Sequence, residues 1–203
     1  FGDISTFSFY PNKHITTGEG GMVVTDNEEL AERCRMIRNL CFQKDVRYVH
    51  NDISGNYRIT NLQAAVGLAQ LERLDEFIER KRAMGKYYTE CLKEVKGLRL
   101  PITKTDYADN IYWVYGLVLA EDIQIDNKTI QKRLADMGIG SRTFFWCMHE
   151  QPVYRKMGLF LEETYFNAEY LARKGFYIPS GLALTKEQMD KVVMGVKNVM
   201  DHI

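Results

Sequence analysis

The sequence predicts an α/β fold, and three observations along its 203 residues support that prediction. Two β-prone runs flank a glycine-rich turn within residues 7–25. A long amphipathic helical pattern extends from residue 60 to Gly97. Beyond Gly97, short strand-like runs mix with helical patterns, which is typical of a small α+β domain with helices packed on one side of its sheet.

The N-terminal elements are a hairpin and a helix. The pattern Thr25-x-x-Glu28 is typical of a capping box and predicts a helix from there to about Arg38. Residues 39–59 show no sustained period, so we expect an irregular loop. A long connection of this kind is often functional.

A second capping box, Thr60-x-x-Gln63, begins what we expect to be one long helix, bent at Gly85 and ended by Gly97. At 1.5 Å per residue it would run about 50 Å, which is enough to join two domains. The sequence thus predicts a first domain at residues 1–78, a linking helix at 79–97 and a small α+β domain at 98–203.

The C-terminal elements follow from local pattern and capping. We expect strands at 98–100, 112–119, 140–146 and 176–178, and helices at 127–137 and 164–174. A third capping box, Thr185-x-x-Gln188, predicts a terminal helix with one apolar face.

Composition excludes several classes of function. Apolar residues make up 45% and charged residues 27%, which is ordinary for a globular protein. The 27 basic and 27 acidic side chains cancel, so no sequence-wide field would attract nucleic acid or an anionic membrane. The longest apolar run, 111–120, is about half of what a bilayer helix needs. We therefore expect neither a nucleic-acid nor a membrane partner.

The four cysteines show neither a CxxC pair nor zinc spacing, and we predict no metal site. Each is interpreted as a small buried thiol in a reducing compartment, which favours the cytoplasm.

Lys13 is the main candidate for chemistry. It lies between an aromatic β-prone run and the glycine-rich turn. A lysine held on a short loop between two packed strands is partly desolvated, which favours the neutral, nucleophilic amine. The alternative is an ordinary hairpin with a solvated lysine at its tip, and spacing alone leaves the two readings balanced.

The residue string around Lys13 resembles the cofactor-lysine segment of the DegT/DnrJ/StrS-type family of pyridoxal-phosphate-dependent nucleotide-sugar aminotransferases. The resemblance lies in Ser8-Phe9-Tyr10-x-x-Lys13-x-x-x-Thr17-Gly18-Glu19-Gly20-Gly21 and continues through residues 55–58, 61–65 and 70–73. It implies the fold type I (aspartate aminotransferase-like) architecture, of which this chain would be the C-terminal portion. About half of the family's polypeptide precedes this point.

The resemblance also implies roles for individual residues. Lys13 would bind pyridoxal 5'-phosphate covalently, and Ser8 would bind its phosphate. Asn56 would reach the cofactor phosphate of the neighbouring subunit, which implies a homodimer with a shared active site. Arg58 and His149 would contact the substrate. The alternative for Asn56 and Arg58 is that the first shapes a turn and the second pairs with a nearby acid.

The sequence departs from the family at two places near these residues. Ser54 and Gly55 occupy the positions where the family has glycine and an aromatic residue. The position of the family's proline before His149 is occupied by Cys147 or a residue next to it. For the neighbouring aromatic residues 144–146 we expect a place in the core of the small domain rather than stacking on a ligand.

The resemblance implies amino transfer from an L-amino acid, usually glutamate, to a keto group on a nucleotide-linked sugar. The strings around Lys13 and His149 look most like family members that aminate GDP-4-keto-6-deoxymannose for O-antigen sugars. One alternative is a cofactor-dependent sugar dehydratase on the same fold, which would require loss of the lysine and is therefore disfavoured by Lys13. The other is a non-catalytic binding fragment.

Overall fold

The computed structural model describes residues 2–43, 45–46 and 48–203. The chain divides into two compact units, one ending at Phe77 and one running from Ile78 to Ile203.

The N-terminal unit begins with an antiparallel hairpin of β1 (Ser5–Ser8) and β2 (Gly21–Val24), in which Ser8 is opposite Gly21. Helix α1 (Glu28–Arg38) and helix α2 (Asn61–Leu71) follow. The intervening loop is irregular, as predicted, apart from isolated bridges such as that between Asn39 and Asn56.

The start of α1 differs from the prediction. Its N-cap is Asn27, whose Oδ1 accepts a hydrogen bond from the Leu30 N–H at 3.0 Å. The hydroxyl of Thr25 instead donates to the carbonyl of Asp3 at 2.6 Å. The predicted capping box at Thr25 is wrong because Thr25 Oγ1 accepts from the Asn27 N–H at 3.1 Å rather than from Glu28, and Asn27 is an equally good cap.

The predicted single long helix is two helices. The Thr60 capping box is confirmed and begins α2, but that helix ends at Leu71. Helix α3 runs from Leu74 to Leu92. Between them the Arg73 N–H bonds to the carbonyl of Gln70, three residues back, so the chain tightens into a turn at 72–73. Gly85, where a bend was predicted, lies inside α3, and the helix ends at Leu92 rather than at Gly97.

The C-terminal unit contains a four-stranded antiparallel sheet in the order β3-β4-β6-β5. The strands are β3 (Leu98–Arg99), β4 (Tyr115–Leu119), β5 (Arg142–Thr143) and β6 (Gly175–Ile178). The helices are α4 (Asn127–Asp136), α5 (Pro152–Lys156), α6 (Phe166–Lys174) and α7 (Lys186–Asp201). A 3₁₀ turn at Met148–Glu150, which the sequence did not predict, precedes α5.

The hydrophobic core lies in the C-terminal unit. It joins α3, the sheet, α4 and α7, and its fully buried side chains include Tyr88, Leu92, Tyr115, Leu117, Leu119, Ile130, Leu134, Phe176, Ile178 and Val196. In the described part of the N-terminal unit, by contrast, the buried residues are Thr17, Cys41 and Phe77.

Among the described residues, no helix combines the length and the apolar character that a bilayer span requires.

Candidate active site

Lys13 lies on the loop that joins β1 to β2, and backbone hydrogen bonds close the base of this loop. The Phe9 N–H donates to the Gly20 carbonyl at 2.9 Å, and the Thr17 N–H donates to the Phe9 carbonyl at 3.0 Å. Within the loop, the Lys13 N–H donates to the Tyr10 carbonyl at 3.0 Å. Lys13 is partly buried, so the lysine is held on a closed loop rather than at an extended hairpin tip.

Helix α2 holds the same loop through two glutamines. The Gln70 side chain accepts from the Thr16 N–H at 3.1 Å and donates to the Thr16 carbonyl at 2.9 Å. Two turns earlier, Gln63 donates from Nε2 to the carbonyl of Glu19 at 3.0 Å. Both glutamines therefore lie on one face of α2 and fix the chain on the C-terminal side of Lys13.

Two of the glycines behind Lys13 lie too close to their neighbours to carry a side chain without a shift. A Cβ on Gly20, where φ is +147°, would lie 2.6 Å from Thr17 Oγ1, and one on Gly21 would lie 2.8 Å from the Phe7 carbonyl oxygen. The absence of a Cβ at these two positions thus lets the chain reverse tightly behind Lys13.

Ser8 is exposed at the end of β1, five residues before Lys13. Its Oγ accepts from the Tyr10 N–H at 3.3 Å, which leaves the hydroxyl proton for donation to a ligand. An amine on a closed loop and a hydroxyl donor at the end of the strand that leads into it fit a cofactor that combines an aldehyde with a phosphate. The residues present are thus compatible with pyridoxal phosphate.

Asn56 and Arg58 lie together on the loop that precedes α2, and both are near Asn39 at the C-terminal end of α1. Asn56 Oδ1 accepts from the Arg58 N–H at 3.2 Å, so Asn56 does shape a turn. The Arg58 guanidinium donates to the side chain of Asn39, and not to an acid as the alternative reading required. Arg58 also lines an open cavity of ≈ 1110 Å³ together with Arg35 and Arg38.

His149 lies in the 3₁₀ turn of the C-terminal unit and is buried. Its Nε2 lies 3.0 Å from Oε1 of Glu169, and the same oxygen accepts from the Tyr165 N–H at 2.8 Å. The hydrogen bonds from Tyr165 and then from His149 hold the pKa of Glu169 below its ordinary value. The ring of Tyr165 packs edge-on against the imidazole.

The next residue, Glu150, makes a parallel contact with the same helix. Its Oε1 is 2.5 Å from the Arg173 guanidinium, one turn of α6 beyond Glu169. Ligand atoms of His149, Glu150 and Glu169 all lie within 4.8 Å of one another. The imidazole and Glu150 Oε1 each have a protein partner, whereas Glu150 Oε2 is buried without one. We interpret the cluster as a hydrogen-bond network and do not propose a metal there.

The aromatic residues before His149 were expected in the core, and the structure corrects this for two of them. Phe144 packs closely against Gly116 and Gly175. Phe145 is 77% exposed and Trp146 is 44% exposed, with the Arg173 guanidinium 5.0 Å from the Trp146 ring centroid. The strand at this point covers only Arg142–Thr143, so residues 144–146 lie beyond the regular sheet.

Sequence reasoning missed Gln70 and Glu169. Both act across long sequence separations, 54 residues for Gln70 to Thr16 and 20 for Glu169 to His149. Gln70 did fall within the resembling string, but nothing in its local pattern indicated its partner.

Comparison with known proteins now identifies the family. The sequence profile of the DegT/DnrJ/EryC1/StrS aminotransferase family matches residues 1–197. The chain is 34% identical over 205 residues to the GDP-perosamine synthase of Vibrio cholerae, covering 100% of this chain and 54% of that protein. It is 38% identical over 191 residues to the GDP-perosamine synthase of Escherichia coli O157:H7, covering 93% and 50%.

Other relatives point to the cofactor and the fold. The Bacillus subtilis protein EpsN, named a putative pyridoxal phosphate-dependent aminotransferase, is 33% identical over 194 residues and covers 95% of this chain and 49% of that protein. The solved structure of S. venezuelae DesV superposes with a TM-score of 0.84 at 31% identity, covering 100% of this chain and 53% of that one. The chain thus spans about half the length of the relatives that it matches.

The predictions of the fold and of pyridoxal phosphate as the family's cofactor are confirmed. With the family profile matching nearly the whole chain, this protein belongs to the DegT/DnrJ/EryC1/StrS aminotransferase family.

Proposed function

We propose that the intact protein is a pyridoxal-phosphate-dependent aminotransferase that acts on a keto sugar attached to a nucleotide. The observation that carries the proposal is Lys13 on a loop closed by the Phe9, Thr17 and Gly20 backbone and held by Gln70. When bound, the cofactor supplies an electron sink for the carbon that loses or gains a proton.

Lys13 would serve two roles in this proposal. Its Nζ would bind the cofactor covalently at rest, and the amine of the donor would displace it. The released Nζ would then remove a proton from the donor's Cα and later deliver one to the sugar carbon that receives the amine. The closed loop supports both roles because it limits how far the amine moves between them.

Ser8 and Asn56 would bind the cofactor phosphate. Ser8 has a hydroxyl proton to donate, and Asn56 uses its Oδ1 within its own loop, so that its Nδ2 is the group to donate. As in the family, Asn56 would act on the neighbouring subunit's cofactor, which makes a homodimer with a shared active site part of the proposal.

For the substrate we propose GDP-4-keto-6-deoxymannose, converted to GDP-perosamine, with glutamate as donor. The support is identity of 34%, 35% and 38% to three GDP-perosamine synthases. Arg58 and His149 would bind this substrate. A role in lipopolysaccharide O-antigen synthesis would follow.

We also propose a domain organisation for the intact protein. Residues 1–78 would complete a large cofactor-binding domain, residues 79–97 would link it to the next domain, and residues 98–203 would form the small domain.

For the location of the protein we propose a reducing compartment such as the cytoplasm. The support is that all four cysteines are free thiols.

Borohydride trapping tests the proposal. The full-length protein is incubated with pyridoxal phosphate, reduced with borohydride, digested and examined by mass spectrometry. We expect a stable adduct on the peptide that contains Lys13, and none on that peptide in Lys13→Ala. Lys86→Ala, at an exposed lysine of α3, is the control and should still be labelled at Lys13.

Each outcome has one meaning. An adduct on Lys13, followed by glutamate-dependent amination of GDP-4-keto-6-deoxymannose, supports the proposal. Cofactor bound without an adduct would favour the dehydratase. No cofactor bound at all would favour a non-catalytic binding protein.

A further inference from the structure

The hydrogen bond between His149 and Glu169 determines which ring nitrogen carries a proton. Glu169 Oε1 already accepts the Tyr165 N–H, and its lowered pKa keeps the carboxylate ionised. An ionised carboxylate has no proton to donate, so the 3.0 Å contact requires a proton on Nε2 of His149. In the neutral ring, Nδ1 is then a hydrogen-bond acceptor.

The hydrogen bonds of the described residues engage Nε2 and leave Nδ1 for another partner. A group bound there must be a donor. Sugar hydroxyls are donors, whereas phosphate oxygens are acceptors and would face the lone pair of Nδ1.

We propose that Glu169 is a positioning residue that keeps a proton on Nε2 of His149, so that Nδ1 of the neutral ring accepts a hydrogen bond from a hydroxyl group of the sugar nucleotide. This rests on the proposed function, in which His149 binds substrate. It adds the chemistry of the contact, a hydroxyl and not a phosphate, and a residue that sets it.

The contacts around Glu169 allow its role in positioning His149 to be tested apart from a role in folding. The neighbouring contact between Glu150 and Arg173 ties the 3₁₀ turn to the same helix, and Arg173 also donates to the Glu169 carbonyl. Loss of the Glu169 charge therefore leaves a second connection between the turn and α6. Glu169→Gln keeps nearly the same side-chain volume. It removes the obligatory acceptor, because an amide can donate to Nε2 as well as accept from it.

The first test is the tautomer itself. Full-length protein labelled with ¹⁵N-histidine is examined by long-range ¹H–¹⁵N NMR at neutral pH, and His149 is assigned by comparison with His149→Gln. We expect a proton on Nε2 alone in the wild type and a partial or complete shift to Nδ1 in Glu169→Gln. Glu163→Gln is the matched control, since Glu163 is exposed and accepts from the Tyr165 hydroxyl.

Three results would overturn the proposal: a doubly protonated ring in the wild type, a proton on Nδ1 there, or no change in Glu169→Gln. Ligand addition gives a further check. GDP-mannose should move the Nδ1 resonance and inorganic phosphate should not; the reverse pattern contradicts the hydroxyl assignment.

Kinetics of the full-length enzyme complete the test. In Glu169→Gln we expect KM for the sugar nucleotide to rise about tenfold, as for loss of one hydrogen bond, while KM for the amino donor stays unchanged. Glu169→Asp should recover part of the loss. A uniform fall in all parameters would indicate a structural role instead. Failure of borohydride trapping would refute the aminotransferase but leave the NMR result standing.

Discussion

The side-chain amide of Gln70 pairs with both backbone groups of Thr16, accepting at 3.1 Å and donating at 2.9 Å. This pattern resembles the pair of backbone hydrogen bonds between two antiparallel strands, with the glutamine amide in place of the second strand's peptide group. It fixes the loop of Lys13 from a helix more than fifty residues away in sequence.

Replacing Gln70 should loosen this loop. Gln70→Met keeps the length of the side chain but removes both hydrogen bonds, at a cost of roughly 1–3 kcal/mol. We expect faster hydrogen exchange at Thr16 and Thr17 and a weaker affinity for pyridoxal phosphate in the full-length protein, measured by absorbance titration. Glu72→Gln, at the exposed end of the same helix, should change neither. Equal exchange in Gln70→Met and wild type would contradict the role.

Lys81 should make the stability of the C-terminal unit depend on pH. The residue is 6% exposed, and its ammonium donates to the carbonyls of Trp113, at 2.9 Å, and Ser180. Burial lowers the pKa of Lys81 from 10.5 to about 8. The unfolded chain therefore binds more protons between about pH 8 and pH 10.5, so the free energy of unfolding should rise with pH over this window, by roughly 1–3 kcal/mol.

The measurement is hydrogen exchange of amides in β4, corrected for the intrinsic pH dependence, at several pH values. Lys81→Met should lose the rise with pH and be destabilised near neutrality, because two carbonyls lose their donor. Lys86→Met, at an exposed position of α3, should keep the wild-type slope. Identical slopes in wild type and Lys81→Met would show that Lys81 does not carry the effect.

Gly85 should resist substitution even though alanine is the better helix former. A Cβ at this position would lie 2.5 Å from ring atoms of Tyr112, which itself has a φ of +49°. Because the ring is buried, the clash should outweigh the gain in helix propensity of about 1 kcal/mol, and Gly85→Ala should lower stability by roughly 1–2 kcal/mol.

The change in the free energy of unfolding is measured by urea unfolding, monitored through hydrogen exchange of the amides in β4 and β6. Ala83→Gly, at an exposed position of the same helix, is the control and should cost about 1 kcal/mol through propensity alone. A stabilised Gly85→Ala variant would mean that Tyr112 moves without cost.

Some features of this protein could be predicted from the sequence alone. The capping boxes at Thr60 and Thr185 appear where they were predicted, because each involves residues three apart that meet as soon as one turn forms. The family, the cofactor and the turn behind Lys13 could likewise be predicted from one contiguous string of residues.

The tertiary structure decided the rest. Thr25 does not cap α1 as predicted, because its hydroxyl donates to the Asp3 carbonyl and accepts from the Asn27 N–H. The strand predicted at 112–119 starts only at Tyr115, since Tyr112 packs against Gly85 with a φ of +49°. The partners of Gln70 and Glu169 became visible only in three dimensions. Local pattern records what a residue can do with its nearest neighbours, whereas a hydroxyl, an amide or a carboxylate bonds whichever distant group the fold brings within 3 Å.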